Sequence, residues 1–237
     1  MGLEIELSVA KTNKYASRES GDTAELVERP GGGFSVVVVD GQGSGAAAKT
    51  LSLLVTSKAV ALLKEGVRDG AVARAAHDHL FAYRHGKVSA TLDILSVDLR
   101  SRTVVVTRNA ETPLIVGRGG DYALLPPTSG PIGVRGMTRP AVSELPAEAG
   151  CQVVLCTDGV TSAGERLGLG RLDLLAFATA HFRRDQTARA LADALLGAAI
   201  ARDRDRPADD MTVVALALRD HAETTLIRRL SASMPLP

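Results

Sequence analysis

A run of four valines, Val36–Val39, is broken off by Asp40-Gly41-Gln42-Gly43-Ser44-Gly45, and the chain turns helical immediately afterwards. An unbroken β-branched run marks a strand buried on both faces. Whatever sheet holds it must therefore be covered on both sides. Upstream, Leu3–Ala10 alternates as a half-buried strand, and Thr23–Arg29 can pair with Phe34–Val39 across Pro30 and three glycines. Downstream, Ala46–Lys64 and Asp69–Tyr83 carry helical patterning. Strand signals return at Ser89–Leu99, Thr103–Arg108, Leu114–Gly117 and Tyr122–Leu125, and Pro126–Gly136 reads as a loop. The strand Gln152–Thr157, helices near Leu172–Phe182 and Gln186–Arg202, and the strand Met211–Leu218 complete the order.

Grouped strands with paired helices between them predict an α+β fold. The expected form is a four-layer α-β-β-α sandwich of two mainly antiparallel sheets flanked by helix pairs. A doubly wound parallel sheet would need regular strand–helix alternation, which is missing. Residues 1–220 are expected to form one domain, and 221–237 a C-terminal tail with no assigned role.

Charge excludes some functions. With 28 basic and 27 acidic residues the net charge is +1, so no basic face for nucleic acid is expected. Aromatic residues make up 3% of the chain and Trp is absent, which removes a base-stacking platform. Met1–Leu7 reads as a strand and not as a leader, and no apolar stretch is read as reaching the ~18 residues of a membrane span. A cytoplasmic protein with no membrane partner is expected. Cys151 and Cys156 share one apolar run at odd spacing, which sends them to opposite faces of a strand as unpaired core residues.

The chemistry lies in the acids. Asp40, Asp158 and Asp209 each stand where a β-rich run meets a turn, and Asp22 precedes a strand beside Gly21. Aspartate disfavours strands and favours turns, so each alone has a bland explanation. Four together at sheet ends suggest carboxylates converging on one rim, which repel and need protons or cations. Hard oxygen donors without a His pair or thiolate motif favour Mg²⁺ or Mn²⁺ over Zn²⁺. Two such ions can activate a water for attack on phosphorus. In the Gly41–Gly45 loop the Gly41 carbonyl could bind an ion, and the following helix would add its positive end. The same loop fails as a dinucleotide fingerprint on spacing.

At these residues the sequence resembles the PPM (protein phosphatase 2C type) phosphatases, within them the bacterial SpoIIE-like branch with RsbU and RsbX. Ser20-Gly21-Asp22, Val39-Asp40-Gly41-Gln42-Gly43-Ser44-Gly45, Ala90-Thr91-Leu92-Asp93, Asn109-Ala110-Glu111-Thr112-Pro113, Cys156-Thr157-Asp158-Gly159-Val160 and Asp209-Asp210-Met211-Thr212 carry the likeness in family order. The resemblance implies two Mn²⁺ or Mg²⁺ ions. Asp40 would bridge them, Asp158 and Asp209 would complete one, and Asp22 with the Gly41 carbonyl would serve the other. Asp40 and Asp158 are thereby the catalytic pair, although Asp210 competes with Asp209 as direct ligand. The resemblance further implies hydrolysis of phosphoserine or phosphothreonine on a phosphorylated protein, an anti-sigma-factor antagonist in a partner-switching stress circuit.

The chain departs from the family at several points. No residue matches the phosphate-holding Arg of some relatives, with Arg18 the candidate. His85 and Gly86 occupy the region of a third-ion aspartate, and Glu111 replaces the usual Gly-His turn. Asp93 could face the site or bond locally. His77 and His79 point apart on their helix, and Arg202–Arg206 reads as a solvated face. Two competing functions stand beside the phosphatase: a catalytically weak or inactive phosphoprotein-binding module of the same fold, and a nucleotide-binding enzyme resting on the glycine loop alone.

Overall fold

The structure is a computed structural model and describes residues 2–126, 129–221, 227 and 229–233. The tail expected over 221–237 lies largely outside the described residues. Among the described residues, ten strands form two five-stranded sheets. The first runs β2 (Asp22–Glu28), β3 (Phe34–Gly41), β4 (Ala90–Asp98), β5 (Thr103–Asn109) and β8 (Ala141–Pro146) in that order. The second runs β1 (Gly2–Thr12), β10 (Met211–His221), β9 (Cys151–Cys156), β6 (Leu114–Arg118) and β7 (Asp121–Leu125). Every pairing between named strands is antiparallel.

Side-chain alternation divides each central strand between two cores. Val36 and Val38 of β3 meet Val153, Leu155, Val214 and Leu216 between the sheets. Val37 and Val39 face the opposite way, onto Leu51, Val55 and Ala59 of α1 (Gly45–Lys64) and Val72, Ala76 and Leu80 of α2 (Asp69–Arg84). In the second sheet Val154, Cys156, Val213 and Ala215 pack on α4 (Leu174–His181) and α5 (Ala188–Arg202). Four layers result, α-β-β-α. A one-residue slip of β3 would exchange its two faces, and each fully buried Val or Leu contributes roughly 1.5–3 kcal/mol, so the register is strongly held. Both cysteines are free; Cys151 lies in the inter-sheet core and Cys156 on the helix side.

Two sequence expectations need correction. Strand β8 escaped the sequence reading because it is an edge strand of alternating exposure, with only Leu145 buried and prolines at 140 and 146. Helix α1 is long and apolar enough for a membrane span by length and composition, contrary to the reading that no stretch qualifies. Its Ala, Ser and Thr content hid this, but one face is packed on β2 and β3, and Lys49 and Lys58 lie along it.

Candidate metal centre

The acid-bearing strand ends meet at one rim. Asp22 opens β2 and Asp40 is the last residue but one of β3, and the two are direct partners in the β2–β3 register. Asp158 starts α3 (Asp158–Thr161), a single turn that follows β9 at once. Thr157, its N-cap, donates from Oγ1 to Asp22 Oδ2 at 2.9 Å, and Thr212 Oγ1 donates to the same oxygen at 2.6 Å. The two sheets are thereby joined at this rim through the Asp22 carboxylate. The charges of Asp158 and Asp209 both act on the Asp40 carboxyl. Asp22, Asp158 and Asp209 thus lie near enough for their charges to act on Asp40.

Electrostatics at the rim follow from this crowding. Burial, then the charges of Asp22, Asp158 and Asp209 in turn, push the Asp40 carboxyl up to about 9. Burial also raises Asp22 to about 6, against the two threonine hydroxyls and Lys11, which pull it down. Asp209 is raised by burial and by its acidic neighbours. Lys11 and Lys49 each donate from Nζ to the Asp22 carbonyl at 2.9 Å, on the strand side of the cluster.

Asp209 and Asp210 have separate roles. Asp210 is buried, and both its oxygens are taken: Oδ1 accepts from the Lys14 amide at 2.9 Å and Oδ2 from the Gly21 amide at 2.7 Å. It clamps the segment that delivers Asp22 and leaves Asp209 to face Asp40. Asp210→Ala is expected to strand both amides and to cost about 1–3 kcal/mol. Thermal melting should fall by about 2–4 °C per kcal/mol lost, with faster hydrogen exchange at Lys14 and Gly21.

Asp203, which the alternating charges of Arg202–Arg206 assign to a solvated face, is instead buried. It accepts from the Gly164 amide at 2.9 Å and the Ala208 amide at 2.6 Å, which sets the approach to Asp209. No sequence signal separated Asp203 from the exposed Arg204 and Asp205 beside it. Asp93 bonds locally: it pairs with its cross-strand neighbour Arg108 at 3.2 Å, both buried, and does not join the cluster. Arg18 stands exposed in the loop before Ser20. Close backbone approach explains three glycines of the motifs. A Cβ on Gly21 would meet Ala48 Cβ at 2.9 Å, one on Gly41 the Ala48 carbonyl oxygen at 2.3 Å, and one on Gly159 the Asp210 carbonyl oxygen at 2.1 Å.

A divalent cation fits this donor set by chemistry. Acids from separate chain segments lie near enough to act on the charge of Asp40, and the burden on Asp40 is of the kind a hard cation relieves. As the side chains stand, no three acids, His or Cys among the described residues form a ready ion-holding group.

Comparison with known proteins places the fold. The model of the Stage II sporulation protein E (SpoIIE) family matches residues 30–219. The chain belongs to the SpoIIE family. Stage II sporulation protein E of Priestia megaterium is 22% identical over 156 residues, which cover 66% of this chain and 27% of that protein. The chain therefore matches only about a quarter of that curated relative. Among solved structures, the PP2C phosphatase domain of SpoIIE from Bacillus subtilis, with a fragment of its regulatory domain, superposes with a TM-score of 0.78 at 21% identity, covering 90% of this chain and 63% of that one. RsbX in complex with magnesium gives 0.69 at 18% identity over 92% and 98% of the two chains. The catalytic domain of the serine/threonine protein phosphatase PstP in complex with two manganese ions gives 0.69 at 16% over 92% and 100%. These neighbours share the fold of PP2C-type serine/threonine phosphatase domains.

Proposed function

We propose that this SpoIIE-family chain is a metal-dependent phosphoserine/phosphothreonine protein phosphatase. The observation that carries the reading is the meeting of Asp22, Asp40, Asp158 and Asp209 at one rim, with Asp22 and Asp40 in direct cross-strand register. The magnesium and manganese named for two neighbours support a pair of Mg²⁺ or Mn²⁺ ions. Asp40 would be shared between them, with Asp158 and Asp209 serving one and Asp22 and the Gly41 carbonyl the other. Bound there, the ions would supply a nucleophilic water at neutral pH and neutralise phosphoryl oxygens. The chain's own residues hold that site in place. Thr157 and Thr212 fix one Asp22 oxygen, Asp210 fixes the Lys14 and Gly21 amides, and Lys11 and Lys49 tether the Asp22 carbonyl.

The substrate in this reading is a phosphorylated anti-sigma-factor antagonist, in a stress-response circuit within the cytoplasm, as the resemblance in the sequence implies. Hydrolysis of p-nitrophenyl phosphate and of a phosphoserine peptide is expected with Mn²⁺ or Mg²⁺ and is expected to vanish with chelator. Turnover that persists in excess chelator would overturn the reading. Tight binding of a phosphoprotein without metal and without turnover would instead establish the binding-module alternative.

A further inference from the structure

The segment 129–139 carries chemistry that the metal centre does not use. It lies beside the acidic rim. Ala90 of β4 is the register partner of Gly41 on one side, and on the other it exchanges two backbone hydrogen bonds with Ile132, at 3.1 and 2.9 Å. Two strand spacings separate Gly41 from Ile132, about 10 Å. The bridge is antiparallel, so the chain after Ile132 runs out past the end of the sheet at which Asp40 and Gly41 lie.

The base of this segment is firmly anchored. Asn109 Nδ2 donates to Ser129 Oγ and Thr138 Oγ1 at 2.8 Å each, joining the two limbs. Ser129 Oγ donates to the Arg139 carbonyl at 2.7 Å. The Gly133 amide donates to Nδ1 of His77, which is buried in α2 and not on the surface. The tip has the opposite character: Val134 and Met137 are 41% and 79% exposed, and Arg135 and Arg139 are exposed beside them. An apolar and basic surface on a fixed base, next to a carboxylate rim, is suited to a ligand more than to the fold's own core. With cations balancing the four carboxylates, Arg135 and Arg139 add positive charge beside the rim and steer acidic surfaces toward it.

Resting on the phosphatase reading, we infer that the 132–139 tip is a substrate-docking element, selecting phosphoproteins whose surface beside the phosphoresidue is acidic and apolar. Docking at the tip lies outside the chemistry, so it acts on KM and not on kcat for a small ester.

Three probes test this on the full chain with Mn²⁺: a phosphoserine peptide flanked by Glu and Leu, one flanked by Lys and Gly, and p-nitrophenyl phosphate. The wild-type kcat/KM for the Glu/Leu peptide is expected to exceed that for the Lys/Gly peptide at least tenfold. Arg135→Glu with Met137→Ser should remove that preference through KM, with p-nitrophenyl phosphate turnover and melting temperature unchanged. Equal use of both peptides by the wild type overturns the docking inference while leaving the phosphatase reading intact. The inference also falls if the variant loses p-nitrophenyl phosphate and peptide turnover by the same factor, since the tip would then be supporting the rim. Failure to hydrolyse any of the three overturns both readings.

Discussion

Asp40→Asn is expected to abolish Mn²⁺- or Mg²⁺-dependent turnover, on the order of 10³-fold or more in kcat, and yet to raise the melting temperature of the chelated protein. Both effects have one cause. Asp40 is half-buried beside Asp22, Asp158 and Asp209, so without a cation its ionised form is repelled, and folding at neutral pH requires it to take up a proton at a cost to stability. The amide has nearly the same shape and no charge. It removes that repulsion, at about 2–4 °C of melting temperature for each kcal/mol gained. The same change removes the carboxylate proposed to be shared by both ions. Added Mn²⁺ should therefore stabilise the wild type more than the variant, because a ligand bound only to the folded state adds to stability by mass action. Calorimetry with and without metal, beside p-nitrophenyl phosphate kinetics, reads both arms. A variant that keeps turnover, or a chelated variant that melts lower than wild type, contradicts the assignment.

Gly41→Ala should be the most damaging single-methyl change in the glycine loop. The added Cβ would lie 2.3 Å from the Ala48 carbonyl oxygen and 3.1 Å from the Ser52 amide nitrogen, both backbone atoms of α1. No rotamer change can relieve that contact; either α1 shifts or the end of β3 does. Overpacking of this kind costs about 1–3 kcal/mol and occasionally more, and displacement of α1 also carries away Lys49 and its bond to the Asp22 carbonyl. Loss of activity well below the variant's melting temperature is the expected signature. Gly43→Ala is the control. Nothing lies within 4 Å of its Cβ, and its φ of +100° leaves only a local penalty, about 1–2 kcal/mol. If Gly41→Ala behaves like Gly43→Ala, the close approach of α1 to the rim is not what the glycine serves.

Much of this was legible in the chain itself. The valine run and the alternating strands encode which side chains face inward, because side-chain direction in a strand depends only on local geometry. Layer order, the β2–β3 hairpin and the placing of Asp22, Asp40, Asp158 and Asp209 at element ends follow from that. Folding was needed to separate residues that look alike in sequence. Asp209 and Asp210 are adjacent, but the Lys14 and Gly21 amides capture only the second. Asp93 was drawn to Arg108 by a β4–β5 register that no spacing announces, and Asp203 became a buried clamp. Strand β8 and the segment bridging to Ala90 were hidden for a related reason: an edge with few buried side chains leaves little hydrophobic pattern to read. Local sequence specifies which way each residue points, whereas partners distant in the chain are chosen only when packing brings their donors, acceptors and charges within reach.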